Sequence, residues 1–190
     1  GSNFDSDHMG PITSFDDGTH VLELWHGPTS AFKDMALQCL PLFFSTSASV
    51  LREQGIIDTT FLILVATSGD TGKAALEGFA NKDGVRIGVL YPHGGVSDIQ
   101  HKQMATQAGD NVMVWAVRGN FDDCQTAVKQ TFGDEAFTQK LASEYGVALS
   151  SANSINWGPL LPQIVYYISG YAKLVADGSV AKGDPIDVCV

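Results

Sequence analysis

A chain of 190 residues that is 44% hydrophobic and 17% charged has enough apolar side chain for a packed core, and its mean hydropathy of +0.05 excludes a disordered polymer. The formal net charge of −10 repels nucleic acid and anionic membrane, so neither is an expected partner, and any anion must be held by local geometry. No apolar run reaches membrane-spanning length, no signal peptide is evident, and Gly1-Ser2 reads as the scar of a cleaved tag.

The first informative stretch is "HGPTSAFKDMALQCL", 26–40. Its pattern predicts a helix from about Ser30, in which Lys33 aligns with Leu37 and Leu40 on one apolar face. A lysine in that setting either extends its amine to water or does chemistry. "FLILVA", 61–66, reads as a buried strand. A glycine-bearing turn and a helix follow in "TSGDTGKAALEGFAN". "RIGVLYP", 86–92, is the next strand, and "SDIQHKQMATQ" a helix with Ser97 at its N-cap. "NVMVWAV", 111–117, is a third strand, and "FDDCQTAVKQTFGD" a helix with acids in its first turn. "VALSSA", 147–152, is a fourth strand, 160–175 a long apolar helix, and "IDVCV", 186–190, a final strand. This alternation predicts an α/β fold, a parallel sheet flanked by helices, with ligands at the carboxyl ends of the strands.

Cys39, Cys124 and Cys189 are odd in number, widely spaced and without a CxxC, which suggests reduced, buried thiols in a cytoplasmic protein. His8, His20, His26, His93 and His101 show no ligand spacing, so no metal site is expected.

Two loops and one lysine carry the chemical signal. In "ATSGDTGKAA" Gly72-Lys73 suggests a P-loop, but Thr67 stands at the first glycine position and Ala74 at the magnesium ligand, which excludes it. What remains, Ser68, Gly69, Asp70, Thr71 and Gly72 at a helix N-terminus, offers backbone N–H groups and small hydroxyls to a carboxylate or phosphate. The same residues also suit a tight turn capped by Ser68 or Asp70. "SSANSINWGP", 150–159, gathers Asn153, Ser154 and Asn156 at the end of the fourth strand, as polar ligands or as a turn and helix start. An exposed lysine is ordinarily a solvated charge. Lys33, however, sits at a helix N-terminus in apolar company, and both disfavour the ammonium form. A neutral amine is what a Schiff base needs, so the three features together are consistent with a pyridoxal phosphate (PLP) enzyme acting on an amino acid.

"LELWHGPTSAFKDMALQ" resembles the PLP-lysine segment of the threonine synthase family. "ATSGDTGKAALEGF", "GNFDDCQTAVKQTF" and "SANSINW…QIVYY" resemble further segments of that family in the same order. The resemblance implies the tryptophan-synthase-β-like PLP fold and the conversion of O-phospho-L-homoserine and water to L-threonine and phosphate. It implies that Lys33 is the Schiff-base lysine and proton shuttle, that Ser68 to Gly72 receive the substrate carboxylate beside the cofactor, and that Asn153, Ser154 and Asn156 line the substrate side, with Lys102 near the phosphate. It implies three parts: 1–59, carrying the lysine helix, in the larger domain; 60–157, the smaller α/β domain; and 158–190, returning to the larger one. Members have a long segment before the first matching residue and a glycine-rich cofactor-phosphate loop after "VCV". The expectation is therefore an incomplete, inactive piece with N-terminal and C-terminal parts absent, self-associating through an exposed apolar face. Pro159 stands where members usually carry an arginine, and proline donates no hydrogen bond. A phospho-lyase releasing a 2-keto acid and a non-catalytic ligand-binding domain share the same motifs.

Overall fold

The first described elements are a short antiparallel pair, β1 (Ile12–Ser14) and β2 (His20–Leu22), with Ile12 opposite Leu22. The structure, a computed structural model, describes residues 3–7, 10–152 and 157–189. The helix α1 (Asp34–Glu53) follows. It starts four residues later than the apolar pattern predicts, because Ser30 has φ 58, a left-handed conformation no helix accepts. Lys33 is thus the residue before the first helical position rather than part of the first turn. At the far end Arg52 donates to the carbonyls of Thr59 (2.6 Å) and Gly84 (3.1 Å), tying α1 to the start of the sheet.

The sheet is built from β3 (Thr60–Ala66), β4 (Val85–Pro92), β5 (Val112–Val117) and β6 (Val147–Ser150), all parallel, in the order β5-β4-β3-β6. Between them run α2 (Asp70–Phe79), α3 (Asp98–Ala105), α4 (Phe121–Gly133) and α5 (Glu135–Tyr145), and α6 (Trp157–Ala176) closes the order. Ser97 caps α3 in a reciprocal box with Gln100, as the Ser-x-x-Gln spacing allows. The core lies between the sheet and its helices: Ile63, Val65, Ile87 and Val89 meet Leu76 and Phe79 of α2, Leu37 of α1 and Met104 of α3. Each such side chain contributes about 1.5–3 kcal/mol on burial.

β3, β4 and β5 step outward in one direction, and β6 returns to the other side of β3. The order therefore reverses between β3 and β6. The crevice beyond the carboxyl ends of those two strands is where an open α/β sheet binds its ligands.

Two expectations are corrected. Residues 186–189 form no strand: they are exposed and pair with none of the described strands, and an apolar run without a ladder partner has nothing to hold it extended. Of the cysteines only Cys124 is buried, whereas Cys39 is half-buried and Cys189 exposed. No helix among the described residues is long and apolar enough to cross a membrane. On α6, Trp157, Leu161 and Ile168 are 75%, 60% and 66% exposed on one helix face, and on α1, which packs against α6, Phe43 is 69% exposed.

Candidate active site

Lys33 is placed by a buried carboxylate beside it. Asp34, 1% exposed, accepts from the amide of Thr29 (2.9 Å), the hydroxyl of Thr29 (2.6 Å) and the amide of Ala31 (3.3 Å). Those three bonds fold 29–34 into the turn that delivers Lys33 to the end of α1. Gly27 is required for it, since a side chain there would fill the space of the Asp34 carboxyl. From the other side Tyr166 of α6 donates its hydroxyl to the carbonyl of Phe32 at 2.9 Å. Burial pushes the pKa of that phenol up to about 12, so it remains a donor at all physiological pH.

The Lys33 amine stands 4.4 Å from the centre of the Phe32 ring. Burial lowers its pKa below the usual lysine value, and the Asp70 carboxylate opposes that shift. The ring favours the ammonium form, yet desolvation dominates.

Lys33 lines a cavity of about 510 Å³ at the reversal point of the sheet. Its walls are the end of β3 and the turn after it (Thr67, Ser68, Asp70, Thr71), Ser151 after β6, Gln100 of α3, and Phe121, Gln125, Val128 and Lys129 of α4. The turn is more closed than its glycines suggest. Thr67, 2% exposed, accepts from the amides of Gly69 (3.0 Å) and Gly72 (2.9 Å) with one hydroxyl oxygen. Among the described residues this leaves the Asp70 and Thr71 amides, at the first two helical positions, and the Ser68 and Thr71 hydroxyls for a ligand. Gly69 and Gly72 shape the turn from behind: Gly69 has φ 145 with the Gln100 amide against its Cα, and a side chain at Gly72 would strike Thr67. Gln100 also donates to Asp70 Oδ1 at 2.7 Å, joining the turn to α3.

Lys33, Ser68, Asp70 and Thr71 are thus brought into one cavity. Lys102 is exposed on α3, outside the residues that line it. Asn153, Ser154 and Asn156 lie outside the described residues. Pro159 is buried in the first turn of α6, a position that tolerates proline. Asp34, Thr67, Gln100 and the α4 face are site residues that the sequence alone did not single out. The Ser-x-x-Gln box was a usable signal for Gln100; nothing in the sequence showed which way Asp34 points.

No family model matches the chain. Threonine synthase-like 1 from Homo sapiens is 43% identical over 195 residues, covering 100% of this chain, and threonine synthase from Pseudomonas aeruginosa is 43% identical over 173 residues, covering 91%. The PLP-bound threonine synthase of Brucella melitensis superposes with TM-score 0.77 at 42% identity over 92% of the chain, and yeast threonine synthase with 0.78 at 37% over 95%. Over nearly its whole length the chain corresponds to one stretch of threonine synthase family members. It spans 25% of the human relative, 34% of the Pseudomonas enzyme and 35% of each of the two solved chains.

Within this threonine synthase fold the Asp70 carboxylate is the group that holds Lys33 toward its charged form. Asp70→Asn keeps an oxygen for Gln100 and removes the charge. Reductive methylation of Lys33, followed by mass spectrometry across pH, is expected to show its midpoint moving to lower pH in that variant. An unchanged or higher midpoint would contradict the assignment.

Proposed function

We propose that the full-length protein converts O-phospho-L-homoserine and water to L-threonine and phosphate, with PLP held on Lys33. The observation that carries this is Lys33, its ammonium form disfavoured by burial, lining the cavity at the reversal point of the sheet. The donor set fits the cofactor: one lysine of lowered pKa beside open hydroxyls in a cavity of about 510 Å³, within the size range of small-ligand sites. When bound, PLP supplies an aldehyde for that amine and an electron sink for the substrate carbons.

The chain's own groups then have separate tasks. Lys33, whose ammonium form is disfavoured by burial, takes one proton from Cα and one from Cβ of the substrate and returns one at Cγ and one at Cα. The Asp70 and Thr71 amides and the Ser68 and Thr71 hydroxyls bind the substrate carboxylate, at the positive end of α2. Asp34 and Tyr166 keep the Lys33 backbone fixed from both sides. By the family resemblance, Asn153, Ser154 and Asn156 are proposed to contact the substrate. The C–O bond at Cγ breaks to release phosphate, and the oxygen of water adds at Cβ.

The reaction is proposed for a protein of the relatives' full length, and no turnover is expected of these 190 residues alone. In the full-length protein, threonine is expected to form in equal amount to the phosphate released, and Lys33→Ala to remove both. Equal amounts of 2-oxobutyrate and phosphate, without threonine, would replace this reading with a phospho-lyase.

A further inference from the structure

The turn after β3 has less to give an anion than its sequence promises, because Thr67 has taken the Gly69 and Gly72 amides. Asp70 adds a negative charge to the same wall, and the whole chain carries −10. A phosphate monoester dianion entering this cavity therefore needs a cation close by. Lys33 cannot be that cation while its amine serves as a nucleophile. Among the described residues lining the cavity, the other lysine or arginine is Lys129.

Lys129 belongs to a built wall. Phe121, Gln125, Val128 and Lys129 stand at i, i+4, i+7 and i+8 of α4, so they share one helix face. α4 packs over β3 and β4, which turns that face toward the cavity. One turn back along the same wall, Gln125 Oε1 accepts from Lys129 Nζ at 3.4 Å, a long bond that restrains the side chain and leaves two ammonium hydrogens for a ligand.

We propose that Lys129, steered by Gln125, is the cation that binds a phosphate monoester in the Lys33 cavity. This rests on the reading that the cavity takes a phosphate-bearing substrate on PLP. The monoester can be the substrate's phosphate or the cofactor's, and two probes separate them. The first is half-saturation of Lys33 labelling by PLP against pyridoxal, which lacks the phosphate. The second is calorimetric titration with 2-amino-5-phosphonopentanoate, an amino acid carrying an unreactive phosphonate.

Lys129→Gln is expected to weaken one of these by tenfold or more. Loss of the phosphonate with the PLP-to-pyridoxal ratio unchanged assigns the substrate's phosphate. Loss of the ratio with the phosphonate unchanged assigns the cofactor's. Lys129→Arg is expected to keep most of the affinity, a rescue that a merely structural role would not show. If Lys33 is labelled normally and both probes are unchanged in a Lys129→Gln protein with the parent's circular dichroism and Tm, the proposal fails and the PLP reading stands. If the parent binds neither PLP nor the phosphonate, both fail.

Discussion

Asp34→Ala is expected to lower the unfolding free energy by about 3 kcal/mol and to take Lys33 out of register with its cavity. The alanine leaves the Thr29 amide, the Thr29 hydroxyl and the Ala31 amide without their acceptor. Each buried donor left unpaired costs about 1–3 kcal/mol, and local rearrangement recovers part of the sum. Asp34→Asn keeps one oxygen and should cost less, about 1–2 kcal/mol. Urea unfolding of the three proteins measures this directly. A loss below 1 kcal/mol for alanine would mean that the turn is held by something else.

The same carboxyl sets a pH dependence. Burial raises its pKa above the ordinary aspartate value of 3.8, and the three hydrogen bonds only partly offset that. The folded state thus holds the proton more tightly than the unfolded chain. The stability contributed by this proton is full below 3.8 and is lost as pH rises through the folded value. Asp34→Asn should flatten the stability profile over that interval.

Gly78→Ala is expected to cost a further class of energy, that of overpacking. A methyl group at Gly78 would be driven into the carbonyl oxygen of Leu37 and against Pro41. That carbonyl is accessible because Pro41, four residues on, has no N–H to offer it. α2 can lie this close to α1 only through a glycine, although a helical glycine is otherwise unfavourable. The expected loss is about 3 kcal/mol, which for a protein of this size lowers Tm by roughly 6–12 °C. Because α1 carries Lys33 at its start and α2 carries Asp70 and Thr71 at its own, the same shift should widen the cavity. A Gly78→Ala protein with unchanged Tm would mean that α1 and α2 are free to move apart.

The sheet was legible because β3 and β4 are continuous apolar runs, buried on both faces and separated by helix patterns. α5 was not read: none of its residues is buried, and Phe137, Leu141 and Tyr145 at i, i+4 and i+8 give only a thin apolar stripe. β1 and β2 are three residues each, too short for periodicity to register. Residues 186–190 have the composition of a strand, but composition says nothing of a partner. The candidate site divides along the same line. Lys33 and the Ser68–Gly72 turn stand out by residue type. The closing of that turn by Thr67 does not, because Thr67 looks like one more β-branched residue at the end of a strand. The α4 wall is present in the sequence as a helical spacing, but only the packing of α4 on the sheet says where it faces.

Lys33 is proposed as the group prepared for a carbonyl cofactor. Its most direct test is titration of the chain with PLP, reduction with borohydride and peptide mapping by mass spectrometry. A pyridoxyl group confined to Lys33 is expected, formed at a pH where ordinary surface lysines remain charged. Label spread over the surface lysines with none preferred at Lys33, both in this chain and in a protein of the relatives' full length, would contradict it.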